Sequence, residues 1–418
     1  MATVNVGVIG YGPSTTALHI PTIAAVPNAK LYALVQCSTA LEYGSARKGE
    51  HVTVDYPNVR HYHEAAEIFK DRNVHLIVLC SPNLGTCDLA KDALVHGKHV
   101  IVEKPVYLTP QDYTSLISLA NKYNLLLTVY QNRRWDSDFL TLRKYLTAPH
   151  IAPLLNPIIS ITSQFNCYRL PTTPSGSASG ALKSQDLPSN GMLYDLGSHL
   201  IDQMLYLFGL PDWLWAHKDN QRQTEPLGID DSFTIYMYYS AKPDFNYGKP
   251  LTIELKSSMV SPLAPQNRWI VKSWQGGYQK YGTDVQEDQL RVHGLEALNE
   301  KGYGEENIYE WPELTVPSRA VGTGEEALSQ IFGKIAFTKR AGDYVSGTVQ
   351  PEKGDYVEYY RNVIWCVGRV LSGEGAKDVK EDLHVKPEEA RNTSGVIELA
   401  VESAKTGNRV DVKGRLKF

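Results

Sequence analysis

Cysteine is scarce and scattered. The five, Cys37, Cys80, Cys87, Cys167 and Cys366, form no CxxC pair, and Cys80 falls inside the apolar run "LIVLC". An odd, dispersed set gives no disulfide framework and reads as reduced thiols in a cytoplasmic protein. A metal set is missing too. "RHYHE" places His61 and His63 two apart with no third ligand evident nearby, so the pair reads as solvated histidines at a helix entrance and no metal is expected. No excess of one charge exists: 42 basic residues face 46 acidic ones, a net charge of -4. Without a basic face or acidic tail, neither nucleic acid nor an anionic membrane is expected as a partner. No apolar run is long enough to cross a bilayer, "NLLLTVY" being of strand length. Residues 1 to 3 lead straight into "VNVGVIGYG", so no signal peptide is expected ahead of the fold.

What remains is a globular composition, 42% apolar and 21% charged, in 418 residues, a length that suits two domains. The first third alternates strands and helices. "NVGVIGYG", "AKLYALVQC", "VHLIVLCSPN", "KHVIVEKP" and "LLLTVY" read as strands. "TTALHIPTIAAV", "AAEIFKDRN", "CDLAKDALVHG" and "PQDYTSLISLANKYN" read as helices between them. Strands apolar on both faces, joined by helices, imply an α/β fold with a doubly wound parallel sheet. All seven tryptophans, from Trp135 onward, lie beyond this region. There "NPIISITSQFNCYR", "SFTIYMYYS" and "LTIELKSSMV" alternate, as strands of a mostly antiparallel sheet with one buried face do. The division expected is a dinucleotide-binding domain over 1–131 and a substrate-binding and oligomerisation domain over 132–418. Two stretches rich in Gly, Pro, Ser and charge, 171–191 and about 299–353, read as loops or insertions.

"GVIGYGPST" follows the first strand and opens a helix. Gly10 and Gly12 fit the first two glycines of a dinucleotide fingerprint: one for the tight turn, one for close backbone approach to a pyrophosphate. The third glycine position holds Thr15, so the turn expected to bind the cofactor is Gly10, Tyr11, Gly12, Pro13, Ser14 and Thr15. An NAD-specific site carries an acid at the end of the second strand, for the ribose 2′-hydroxyl. Here the strand ends "LVQCST". Ser38 and Thr39 tolerate a 2′-phosphate, and Arg47 or Lys48 can add charge, so NADP is expected in preference to NAD. Ser81, Pro82 and Asn83, ending a later strand, would border the same cleft.

"GKHVIVEKPV" ends a buried strand on Glu103 and Lys104, then Pro105. A strand-end lysine is by itself an ordinary solvated residue. Proline, however, holds the residue before it extended, which sets the direction of Lys104. Further on, "GMLYDLGSHLIDQMLYLFG" puts Asp195 and His199 four apart, on one face of a helix. That spacing alone also describes a helix-stabilising pair.

Together these motifs resemble the Gfo/Idh/MocA oxidoreductase family. "VEKP" is similar to its EKP motif and "GMLYDLGSHLID" to its second motif. "NRRWDSDFLTLRKYL", "DLGSHLIDQMLYLFG" and "GTDVQEDQL" resemble an NADP-dependent subgroup that includes scyllo-inositol dehydrogenases. The resemblance covers most of the chain and is weakest between Asn299 and Lys353. It implies a Rossmann domain followed by an α/β domain with an open, largely antiparallel sheet, and a catalytic set of Lys104, Asp195 and His199. Thr15, Thr86, and "FNCYRL" at Asn166, Cys167 and Leu170 depart from the pattern, so the cofactor half matches better than the substrate half. The reaction implied is reversible hydride transfer between a secondary alcohol of a polyol or sugar and NADP. Lys104, Asp195 and His199 would contact that substrate, with Tyr168 and Arg169 as further candidates. Arg133 and Trp135, with Asp136, would border the cofactor or pack the interdomain crossing. A homodimer or larger homo-oligomer is expected through the C-terminal sheet. Two alternatives share the scaffold: reduction of another keto sugar or dicarbonyl, and a non-catalytic regulator that senses NADP.

Overall fold

Residues 2–37, 49–80, 85–104, 108–149, 151–169, 190–224, 226–320 and 338–417 are described by a computed structural model. Ser38, Thr39, Arg47, Lys48, Ser81, Pro82, Asn83, Pro105 and Leu170 lie outside them. The chain divides into two compact units, each discontinuous in sequence.

The first unit comprises 1–135, 286–303 and 355–394. Its sheet contains β1 (Val4–Ile9), β2 (Ala29–Val35), β3 (Arg60–Tyr62), β4 (Leu76–Leu79), β5 (His99–Val102) and β6 (Leu127–Val129). The order is β3-β2-β1-β4-β5-β6, and every pairing is parallel. This is the doubly wound Rossmann sheet that the apolar runs predict. The runs are continuous because both faces are buried. On β4, Ile77 and Leu79 join one apolar cluster with Ile68, Leu94 and Leu116, while Leu76 and Val78 join another. That second cluster holds Ile23 together with Tyr359, Tyr360 and Val363 of the helix Val357–Leu371. A late segment of the chain therefore covers one face of the N-terminal sheet.

The second unit comprises 136–285, 304–354 and 395–418. Its strands are β7 (Ile158–Gln164), β8 (Trp213–Asp219), β9 (Ser232–Tyr239), β10 (Leu251–Ser258), β11 (Asn267–Ser273), β12 (Gly277–Tyr281), β13 (Glu313–Pro317), β14 (Thr338–Ala341), β15 (Tyr344–Thr348) and β16 (Val410–Asp411). They form one ten-stranded sheet in the order β14-β15-β13-β12-β11-β7-β10-β9-β8-β16. Only the β7–β10 pairing is parallel among those described. Burial alternates residue by residue along β9 and β10. Phe233, Ile235 and Met237, with Ile253 and Leu255, share a core with Leu200, Ile201 and Met204 of the helix Met192–Phe208.

Three readings from the sequence need revision. The stretch 299–353 is more than loops, for β13, β14 and β15 extend the second sheet within it. The second unit is not the whole of 132–418, because 286–303 and 355–394 pack with the N-terminal residues. Tryptophan therefore does not mark the boundary: Trp135 and Trp365 both belong to the first unit. The large apolar residues of 355–394 cover a parallel sheet that the first third of the chain cannot cover alone.

Candidate functional site

In the first unit the site begins at the turn after β1. Gly10 has φ 103°, a backbone conformation that L side chains rarely adopt, so the fingerprint glycine is required by the turn. A Cβ built on Gly12 would meet nothing within 4 Å, leaving open space over the turn. Both observations fit a turn that lies against a dinucleotide pyrophosphate. Thr15, in place of the third glycine, is fully buried and donates its hydroxyl to the Gly10 carbonyl at 2.9 Å. It braces the turn from within. Tyr11 donates to Asp55 Oδ2 at 2.5 Å, and Asp55 also accepts from the Gly49 amide. Burial, then this carboxylate, push the Tyr11 phenol well up. Asp55 is thus a residue of the turn's surroundings that sequence reading missed.

Glu103 and Lys104 follow β5. The Glu103 amide donates to the Leu79 carbonyl at 3.0 Å, which aligns the tip with β4. One Glu103 carboxylate oxygen accepts from Ser14 Oγ at 3.0 Å, and the other faces His19 Nε2 at 3.0 Å. The residue before Lys104 is thereby tied to the dinucleotide turn. Arg133 donates to Glu287 Oε2 at 2.6 Å. Burial works against ionisation of Glu287, yet Arg133, Arg291 and Lys104 prevail and hold it below the usual carboxylate range. Glu287, in the helix Gln286–His293, was visible beforehand only as part of "QEDQL". Trp135 packs at 5.8 Å from Tyr359 and 6.0 Å from His384, within the apolar core of this unit.

The histidines of "RHYHE" have company. Their rings lie 4.6 Å apart, and the buried His51 ring stands 5.1 Å from His61, a third histidine that the sequence did not place nearby. His61 Nε2 meets the Gln36 carbonyl at 3.2 Å. Burial first, then the neighbouring rings, lower its pKa. No group of three His, Cys, Asp or Glu among the described residues is arranged to hold a metal.

In the second unit the helix Met192–Phe208 carries Asp195 and His199. Its start is fixed from outside. Asp230 accepts the Leu193 amide on Oδ2 at 2.8 Å, and its carbonyl accepts the Met192 amide at 3.0 Å. Two otherwise orphaned N–H groups are satisfied, by an acid at the positive end of the helix. A Cβ on Gly191 would lie 2.4 Å from Asp230 Oδ1, so glycine is what permits the approach. Asp195 is partly exposed, while His199 is buried at 2% exposure. Four residues beyond His199, Gln203 accepts from Arg268 at 2.9 Å. Arg268 also donates to Ser163 at 2.8 Å and pairs with the buried Asp138. Tyr168 forms a bridge with Val260 and is 55% exposed, and the Arg169 amide donates to the Met259 carbonyl. Both residues therefore run beside the end of β10.

The structure brings Gly10, Tyr11, Gly12, Ser14, Thr15, Glu103 and Lys104 together in the first unit, and puts Asp195 and His199 on one helix of the second. No helix among the described residues is long and apolar enough to cross a membrane.

Comparison with known proteins identifies the family. The profile described as "Oxidoreductase family, NAD-binding Rossmann fold" matches residues 4–131, and that of the GFO/IDH/MocA C-terminal domain matches 155–278. The oxidoreductase C115.03 of Schizosaccharomyces pombe is 35% identical over 319 residues, 76% of this chain and 81% of that protein. Scyllo-inositol 2-dehydrogenase (NADP(+)) IolW of Bacillus subtilis is 28% identical over 403 residues, 96% of this chain and 94% of its own. The solved structure of the Bacillus subtilis oxidoreductase YvaA superposes with a TM-score of 0.76 at 28% identity, covering 98% of each chain. The chain belongs to the Gfo/Idh/MocA family of NAD(P)-dependent oxidoreductases.

Proposed function

We propose that this oxidoreductase transfers a hydride between NADP and a secondary alcohol or carbonyl of a polyol, inositol or sugar. The observation that carries the reading is the 3.0 Å hydrogen bond from Ser14 to Glu103, which ties the strand tip bearing Lys104 to the dinucleotide turn. The absence of an acid in "LVQC" at the end of β2 supports NADP, as does the similarity to a relative named as an NADP(+) scyllo-inositol dehydrogenase.

The turn from Gly10 to Thr15 would hold the pyrophosphate. Ser38 and Thr39 would face the 2′-phosphate, with Ser81, Pro82 and Asn83 along the same cofactor. Arg133, ion-paired with Glu287, lies within the same unit. When bound, the nicotinamide supplies the hydride acceptor or donor. An alcohol releases hydride only as its proton leaves, so a base must touch the reacting oxygen. His199 takes that proton, a role suited to imidazole near neutral pH. Lys104 would bind a substrate oxygen and stabilise the negative charge developing on it. Asp195, one helical turn before His199, orients the imidazole and a neighbouring substrate hydroxyl. Tyr168 and Arg169 would contact the rest of the substrate.

The second sheet supports a homodimer or larger closed oligomer built on its open face. Trp213 stacks on Tyr238 at 5.0 Å and Trp215 lies 5.9 Å from Tyr236, an aromatic surface opposite the buried side of β9. Light scattering at micromolar concentration should return more than one chain per particle, and a monomer would refute it.

The functional test is a polyol and sugar panel, with NADP and NAD reduction followed by absorbance and NADPH and NADH binding by fluorescence. Turnover with at least one polyol and tighter binding of NADPH are expected. A folded protein that binds NADPH yet turns over no panel member would overturn the substrate reading. Equal or tighter NADH binding would overturn the cofactor preference.

A further inference from the structure

A buried histidine sits beneath the dinucleotide turn, and the mechanism above does not use it. His19 has no exposed surface. It closes a π-helical turn, Thr15–His19, in which the Ile20 amide reaches back to the Thr15 carbonyl. Such one-turn π insertions reorient side chains and are frequent at functional sites. Here the ring points inward. Nε2 meets Glu103 Oε2 at 3.0 Å, and Nδ1 meets the Tyr360 hydroxyl at 2.6 Å. The Tyr130 ring lies 4.3 Å away. A carboxylate only accepts, so Nε2 carries a proton. The other Glu103 oxygen is held by Ser14, two residues beyond Gly12.

Glu103 poses an electrostatic problem. It is a carboxylate at 9% side-chain exposure, bonded to the same turn that is to receive the negative charges of a dinucleotide. An uncompensated anion there would repel the pyrophosphate, and low local dielectric would strengthen the repulsion. We infer that His19 is a positioning residue of the cofactor site: its cationic ring neutralises Glu103 from inside, so that this carboxylate can lock the dinucleotide turn to the strand tip bearing Lys104 without repelling the dinucleotide. The groups facing the ring are Glu103, the Cys80 thiol, and the Tyr130 and Tyr360 hydroxyl-bearing rings. Burial disfavours the cation, but Cys80 and Glu103 outweigh it and raise the His19 pKa to about 10. The inference rests on the cofactor part of the proposed function and not on the substrate.

The test is a thermodynamic cycle on binding. Dissociation constants for NADPH and NADH are measured by fluorescence for wild type, His19→Gln, Glu103→Gln and the double variant. With His19 alone replaced, affinity should fall about 10- to 100-fold, the scale of uncovering one buried charge. In the Glu103→Gln background the same replacement should cost less than about threefold, because no charge is left to compensate. A loss of equal size in both backgrounds, or a single-variant loss under twofold, would overturn the inference. A wild-type titration needs no variant: affinity should weaken as pH rises from 8 towards 10, and a flat profile would also overturn it. A chain that binds NADPH with this pattern but oxidises no polyol would refute the substrate reading and leave His19 in its role.

Discussion

Replacing Arg268 tests how the helix that carries Asp195 and His199 is held. The side chain is 1% exposed and its partner Asp138 is completely buried. One guanidinium serves three groups: Asp138 through Nε at 3.2 Å, Ser163 at 2.8 Å and Gln203 at 2.9 Å. It also lies over Trp269, 4.1 Å from the ring centroid. Among the described residues, Arg268→Leu leaves Asp138 with neutral donors, the Trp269 indole at 2.8 Å and the Asp284 amide at 3.2 Å. Removing one member of a buried ion pair costs about 3–5 kcal/mol, because the remaining charge stays desolvated. For a unit of this size each kcal/mol moves the melting temperature by roughly 2–4 °C, so a fall of about 6–20 °C is expected by calorimetry. The effect should be local in function. Gln203 stands four residues after His199 on the helix, so turnover should fall, whereas NADPH binding depends on the first unit and should persist. Arg268→Lys keeps the charge but not the planar fork, and should lie between the two. A melting temperature within 2 °C of wild type for the leucine variant would refute this account of the network.

Lys104→Ala should lower turnover by roughly two to four orders of magnitude, the scale of losing a positioned acid–base or electrostatic group, while NADPH affinity changes little. Near-normal turnover in a folded variant would remove Lys104 from the catalytic set. Gly10→Ala places a Cβ at φ 103°, a strain of about 1–3 kcal/mol, and should weaken NADPH binding; unchanged binding and stability would count against the turn's special geometry. His19 predicts the pH dependence of stability, since its folded pKa of about 10 lies above the ordinary 6.5. A raised pKa contributes stability fully present below the unfolded value and lost as pH climbs through the folded one. Urea unfolding should therefore show the wild-type advantage over His19→Gln shrinking between about pH 6.5 and 10, and an advantage that grows over that window would contradict the pairing.

How far the residues announce this structure depends on the range of the forces involved. β1, β4 and β5 were legible because each is buried on both faces and so is apolar at nearly every position, Asn5 and His99 excepted. β9 and β10 were legible from strict alternation. β13 to β15 were not, being short strands near one end of a sheet in a stretch dense with charge and glycine. At the site, Gly10, Lys104, Asp195 and His199 stand in local motifs whose spacing carries the signal. His19 stands in none. Its partners lie 84 and 341 residues away, and a single histidine in a helical pattern reads as surface or core until tertiary packing supplies them. Glu287 was hidden for the same reason, since Arg133 is 154 residues distant.

The division of the chain also bears on how the protein is made. The backbone passes from one unit to the other five times. The parallel sheet is complete by Val129, yet Tyr356 and the helix Val357–Leu371, which cover one of its faces, come much later. During synthesis, at about 5–20 residues per second, the finished sheet would wait roughly 10–45 s for that cover. Throughout the interval Val6, Val8, Val78 and Ile101 would lack the partners Tyr359, Tyr360 and Val363. A fragment ending near residue 131 should for that reason be sticky and poorly folded despite containing every strand of its sheet, and the nascent chain is a natural client for chaperones until its last hundred residues emerge.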